Sequence, residues 1–256
     1  MLDQVRFYRE WIPPAAWRAV VACCWEQRVD ADYVQRVLPD GCADVLLYGD
    51  DSIEVVGLHD QVDEPLLPAG TWIRGIRLRP HAVAAAFQID AASLRNRTLP
   101  LADIFGTRRA HRLVDPRERD AWLRSIEPNP RTQRAIRLLD RRSVDETATL
   151  LDLTPRQLRR VLLSDVGLGP KVFQRVLRLQ RFLAAAERPG GLAVAAAEAG
   201  YADQSHLSRE VQTLAGVAPK RVLQERRQSP PTNRTGTRLE TTVHRGAEAA
   251  QVPLAK

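Results

Sequence analysis

One stretch of this chain is written twice. Leu158-x-Arg160-x-Leu162-x4-Gly167-x2-Pro170 returns as Leu207-x-Arg209-x-Val211-x4-Gly216-x2-Pro219, every correspondence offset by 49 residues. An internal repeat of this kind means one supersecondary unit built two times. Each copy opens on a residue able to cap a helix, Thr154 or Asp203, continues into an apolar-periodic run, and stops at glycine. The pattern predicts two short helices, each with a defined start and end. Their outward faces are polar, as reading two places on one nucleic acid requires.

The charge distribution agrees. Net charge is +7 overall, but residues 1–129 carry 16 Lys/Arg against 19 Asp/Glu, whereas 130–228 carry 18 against 10. The tail, 229–256, carries 4 against 2. Basicity thus gathers on the segment holding the repeat and points to a polyanionic partner for that segment. A hydrophobic fraction of 44% with 27% charged residues fits a globular protein that buries a core. No apolar run reaches the length of a membrane span and the first residues do not read as a signal peptide, so a cytoplasmic protein without membrane contact is expected. Three cysteines, Cys23, Cys24 and Cys42, then read as reduced thiols.

Along the chain, residues 32–78 read mainly as strands. Tyr33–Leu38 leads into the Pro39-Asp40-Gly41 turn; Asp44–Tyr48, Ile53–Val56 and the alternating Trp72–Leu78 follow. Helical signals come next, over 81–87, behind Asp90, and from Asp115-Pro116 to about Ser125. Residues 1–126 therefore form a small, strand-rich α+β domain. Glu127-Pro128-Asn129-Pro130 is a stiff linker (127–130), since proline fixes its own φ and restricts its predecessor. Everything in 131–228 reads helical: 131–142, a helix behind a Ser143/Glu146 capping box, the first repeat helix at 155–166, a long helix from Pro170 to about Arg188, a small-residue helix over 192–199, the second repeat helix at 204–214, and a last one over 218–227. The tail, 229–256, lacks apolar periodicity and is expected to be disordered.

A helix, a tight turn and a second helix with a polar face make a helix-turn-helix, whose second helix fits the major groove. In copy one, Leu158, Val161 and Leu162 point inward and leave Arg156, Gln157, Arg159 and Arg160 outward. In copy two, Leu207 and Val211 point inward and leave Gln204, Ser205, His206, Ser208 and Arg209 outward. Arginine forks match guanine, glutamine matches adenine, and serine serves bases or phosphates. These nine residues are the candidate DNA-binding set.

Residues 130–228 resemble the DNA-binding domain of AraC/XylS-type transcription regulators. The stretch Gly200-Tyr201-Ala202-Asp203-Gln204-Ser205-His206-Leu207-Ser208-Arg209-Glu210, followed by Gly216-Val217-Ala218-Pro219, carries the likeness. The resemblance implies a seven-helix, all-α module with two helix-turn-helix units joined by a central helix. It also implies base reading at Arg156, Arg159 and Arg160, and at Gln204, Ser205, His206, Ser208 and Arg209. The chain departs from the family at Leu162, Leu207 and Val211, where phenylalanine is usual, and at Asp152, where glycine is common at a left-handed position. Residues 1–126 resemble the domain that precedes this module in some actinobacterial regulators, through Pro39–Asp44, Leu78-Arg79-Pro80 and Leu99–Gly106. That likeness implies ligand sensing or dimerisation.

The expected protein is a sequence-specific DNA-binding transcription regulator with double-stranded DNA as partner. The reading leaves room for a small-molecule effector, for RNA polymerase and for a homodimer. No cofactor is expected, and no metal: Cys23, Cys24 and Cys42 with His59 and His81 match no tetrahedral spacing. No nucleotide-binding loop, Ser-His-Asp order or HExxH stands in the chain, so no enzyme is expected. Asp40 and Asp44 look like a carboxylate pair but sit at a turn and a strand start. The alternative reading makes Cys42, after its turn, an exposed acceptor thiol and the N-terminal domain a thiol-based sensor or enzyme.

Overall fold

The structure is a computed structural model, and it describes residues 6–228. The tail expected to be disordered, 229–256, lies outside the described residues. The fold is α+β. The strands are β1 (Arg6–Trp11), β2 (Val21–Val29), β3 (Tyr33–Val34), β4 (Ala43–Tyr48), β5 (Ile53–Val56), β6 (Leu66–Leu67), β7 (Trp72–Leu78) and β8 (Thr98–Pro100). Six of them make one antiparallel sheet in the order β1-β2-β7-β4-β5-β8, and β3 pairs with β6 separately. Short helices follow the strands: α1 (Val83–Phe87), α2 (Leu101–Phe105), α3 (Thr107–Arg112) and α4 (Pro116–Arg124). Seven more complete the described chain: α5 (Pro130–Leu139), α6 (Val144–Leu150), α7 (Pro155–Val166), α8 (Pro170–Ala185), α9 (Gly191–Ala199), α10 (Gln204–Ala215) and α11 (Pro219–Gln228).

Register assigns the faces of the sheet. Cys24, Ile76, Val45 and Val55 lie in line across four strands and belong to the main core. The neighbouring line, Trp25, Gly75 and Leu46, faces the other way, where Tyr8 stacks on Trp25 at 5.8 Å between centroids. Gly75 has no substitute here, because an added Cβ would sit 1.9 Å from the Trp25 ring.

Alternation in the sequence located β4, β5 and β7 but gave no sign of β1 and β2. β2 is buried on both faces over most of its length, so its burial is nearly continuous instead of alternating. A register shift between Val21 and Cys23 breaks the period further. The strand expected over Tyr33–Leu38 is regular only at Tyr33–Val34. Beyond it the backbone keeps bonds from Gln35 to Pro65 and from Val37 to Asp63, while Pro65 opposite cannot donate in return.

The main core runs across the 127–130 connector. Leu158, Leu162 and Val166 of α7 and Phe173 and Val176 of α8 join the same cluster as Val45, Val55, Leu78, Val83 and Phe87. Backbones also approach closely: a Cβ on Gly167 would lie 2.7 Å from the Ala91 carbonyl oxygen, and one on Gly41 3.0 Å from the Phe173 ring. Asn129 caps α5 through its side-chain oxygen and donates to Asp165 of α7 at 3.0 Å, so the connector is itself anchored. A second cluster is built from α8 to α11, with Phe182, Leu183, Ala195, Leu207, Val211, Leu214 and Val222 at its centre; among the described residues Leu38 is its one buried member from ahead of α8.

Candidate nucleic-acid interface

The two repeat units are built alike. α6 begins at a capping box in which Glu146 N–H donates to Ser143 Oγ at 3.2 Å and Ser143 N–H to Glu146 Oε2 at 2.8 Å. It ends where Asp152 takes φ +55° and Leu153 N–H reaches back to the Ala148 carbonyl at 2.9 Å. α9 ends the same way, with Gly200 at φ +87° and Tyr201 N–H on the Ala196 carbonyl at 3.0 Å. Both are left-handed C-terminal caps, and in the first an aspartate accepts the conformation that glycine holds in the second.

The following helices have equal length and equal starts. α7 runs 12 residues from a Thr154 cap, and α10 runs 12 from an Asp203 cap. Gln157 N–H donates to Thr154 Oγ1 at 3.2 Å, and His206 N–H to Asp203 Oδ1 at 2.6 Å. That backbone bond is the largest influence holding the Asp203 carboxyl below its ordinary pKa. Leu158 and Leu162 in one helix, and Leu207 and Val211 in the other, are wholly buried, and Val161 is half-buried. Leucine and valine thus fill the inward positions without an aromatic ring.

The outward sets differ in how far they are committed elsewhere. Arg156, Arg159 and Arg160 are exposed, and among the described residues none has a hydrogen bond or ion pair for its side chain. Gln157 is exposed too, but its carboxamide oxygen accepts from Thr154 N–H at 2.8 Å and completes the capping box. In α10, Gln204, Ser205 and Arg209 are exposed and Ser208 is half-buried.

His206 is half-buried and already has partners within the protein. Its Nδ1 accepts from Ala202 N–H at 3.3 Å, its Nε2 lies 3.1 Å from Glu210 Oε2, and its ring packs edge-on against Tyr201. With Nδ1 accepting, Nε2 carries the proton and donates to the carboxylate. Glu210 is buried and also takes Arg178 of α8 at 3.0 Å, so the pair ties α10 to the central helix. The sequence shows these three residues, but only packing shows that they meet.

α8 connects the two units. Its 16 residues end at Ala185, short of the expected end near Arg188, and span about 24 Å at ~1.5 Å each. Lys171 and Lys220 stand exposed at the second positions of α8 and α11, again 49 residues apart. Extending the repeat by one residue past its proline would have found them.

The N-terminal part also touches the second unit. Arg36 donates to Glu225 of α11 at 2.8 Å and to the Ala215 carbonyl at the end of α10 at 3.0 Å, and Gln180 of α8 donates to the Pro39 carbonyl at 2.5 Å.

Other candidate chemistry resolves into packing. Cys42 is not the exposed thiol its turn suggested: Gly41, at φ +78°, tucks the loop beneath Phe173 and leaves Cys42 buried. Burial pushes the Cys24 thiol up to about 11. Asp40 and Asp44 lie 3.4 and 3.3 Å from Arg77; Asp40 and Arg77 are buried, Asp44 is half-buried, and the three form an ion cluster. Among the described residues no group of three or more His, Cys, Asp or Glu is placed to hold a metal ion, and no helix is long and apolar enough to cross a membrane.

Comparison with known families matches a helix-turn-helix domain over residues 147–225 and a domain of unknown function over residues 9–100. No curated protein matches the chain. Among solved structures, an apo ToxT variant from Vibrio cholerae is similar at 11% identity and a TM-score of 0.40, over 87% of this chain and 97% of its own.

Proposed function

Since the chain carries an AraC-type helix-turn-helix domain behind a domain of unknown function, we propose that it regulates transcription by setting α7 and α10 into successive major-groove segments of one duplex. The observation that carries this reading is the pairing of two helices of equal length, each capped by the side chain ahead of it, whose exposed arginines are left uncommitted. Arg156, Arg159 and Arg160 would read one half-site, and Gln204, Ser205, Ser208 and Arg209 the other. Gln157 and His206 act behind them, as cap and as brace. Lys171 and Lys220 add phosphate contacts beside each recognition helix. The two faces carry different residues, so the site for one chain is asymmetric.

Residues 1–126 take the controlling role in this proposal, because α7 packs into the core beneath their sheet. A small effector or RNA polymerase acting on that domain would reach α7 through shared packing.

The test is selection of bound duplexes from random DNA by the full chain, since the core is continuous from sheet to α7. The expected result is a bipartite site with elements about 10 bp apart and an affinity that falls steeply as salt rises. Enrichment of no motif, or of a single element that is unchanged when α10 is altered, would overturn the two-headed reading.

A further inference from the structure

The sheet face that enters the main core is covered over only part of its length. Cys24 and Ile76 are buried in that core, but further along the same strands the face is open. Phe7, Arg28 and Trp72 stand opposite one another across β1, β2 and β7 in one row, and Arg9, Glu26 and Arg74 in the next. Trp11 continues the face beyond Arg9. Phe7, Trp11 and Trp72 are 44%, 41% and 37% exposed. Rings and cations alternate: Arg9 lies over Phe7 and Trp11 at 5.7 and 5.4 Å, and Arg28 and Arg74 over Trp72 at 4.9 and 5.0 Å. One buried carboxylate fixes this layer. Glu26 accepts from Arg9 Nε and Nη2 at 3.0 and 2.8 Å, from Arg28 Nη2 at 3.3 Å and from Trp72 Nε1 at 2.8 Å. Arg74 is exposed and, among the described residues, has no hydrogen bond or ion pair. Burial, and after it Arg74, hold the nearby Arg119 of α4 below its ordinary pKa. The face thus gathers surplus positive charge in a half of the chain that is net acidic.

We propose that this face binds single-stranded nucleic acid, with bases stacked on the exposed rings and phosphates held by the arginines. The mix of side chains selects this occupant. Small-molecule pockets are mostly apolar, yet the open hollow of about 430 Å3 beside Phe7 is otherwise lined by Arg9, Glu26, Arg28 and Asp30. The core of a protein interface is depleted of charge, whereas arginines alternate with every ring here. A duplex buries the faces of its bases and would leave the rings without a partner. A single strand offers flat bases and a phosphate at each step, which is what alternating rings and guanidinium groups match. The site lies apart from α7 and α10, and its binding does not rest on how they read a duplex.

Fluorescence anisotropy of short labelled oligothymidylate and oligouridylate with the full chain tests this, and the tighter of the two identifies the kind of strand. Binding should quench tryptophan fluorescence and weaken as salt rises. Excess mixed-sequence duplex, which occupies the basic helices, should not displace the strand. Phe7→Tyr keeps a ring and should bind as wild type does. Phe7→Leu keeps apolar bulk without a ring and should lose roughly fivefold or more. Arg74→Ala should weaken binding and flatten its salt dependence. Absence of binding to both strands, displacement by duplex, or equal affinity of Phe7→Tyr and Phe7→Leu would overturn the proposal. Circular dichroism of the variants checks that the sheet is intact, and a loss that the second ring restores is not one that misfolding produces.

Discussion

The two helix-turn-helix units share a scaffold and differ in what they lean on. In the first, Leu158, Leu162 and Val166 sit in the core that also holds Val45, Val55 and Phe87 of the sheet domain. In the second, Leu207, Val211 and Leu214 close a smaller core among α8 to α11, and ion pairs do much of the remaining tethering, from Arg178 to Glu210 and from Arg36 to Glu225. A repeat therefore specifies a helix pair without specifying its neighbours. One head is built into the N-terminal domain, and the other is strapped to it. Packing transmits displacement over a continuous surface, whereas a few polar ties can release one at a time.

The largest expected effect breaks or keeps this division. Leu162→Ala and Leu207→Ala each remove a fully buried leucine and should cost about 2–5 kcal/mol. Hydrogen exchange should separate them. Leu162→Ala should raise exchange in β4, β7 and α5 through α8 together, while Leu207→Ala should confine it to α9 through α11. If the second substitution loosens the sheet as much as the first, the two cores are one cooperative unit and the comparison fails.

Reading faces come next in size. Arg160→Ala and Arg209→Ala should each lose about 1–3 kcal/mol of discrimination if the guanidinium grips a guanine, roughly 5- to 150-fold. Each loss should fall on one element of the bipartite site and spare the other. Binding measured on a selected duplex with either element scrambled gives the answer, and a uniform loss over both elements would reduce these residues to phosphate contacts.

The helices of the interface were legible because their signals are local. Thr154, Asp203, Asp152, Gly200, Gly167 and Gly216 sit at caps, and cap chemistry follows from a few adjacent residues. The expected spans at 155–166 and 204–214 meet α7 and α10 within one residue. Strand β2 was not legible, because a strand buried on both faces loses the alternation that marks it. His206 shows a different limit. Helical spacing set it beside Gln204 and Ser205, yet its half-buried ring satisfies a turn N–H and a buried carboxylate, both recognisable only after the chain has folded. Arg36 lies 189 residues from Glu225, so no local pattern could have joined them.

That last pair gives the smallest effect and the finest test of the strap. Arg36→Ala removes ties to Glu225, Glu64 and the Ala215 carbonyl; since the ion pairs reach solvent, the loss should be about 1 kcal/mol or less. Burial pushes the Glu225 carboxyl up, but bonds from Arg221 and Arg36 outweigh it and hold it below its ordinary value. A depressed folded pKa means the stabilisation is complete above the unfolded value of about 4.3 and is lost as pH falls through the folded one. Protection of α11 amides should therefore drop on acidification in the wild type. In Arg36→Ala it should begin lower and drop less, because Arg221 alone remains. Amides of α7 report on packing instead of this pair, and the substitution should leave their pH profile unchanged. An equal response in α7 and α11 would mean that Arg36 braces the whole molecule and not the second head alone.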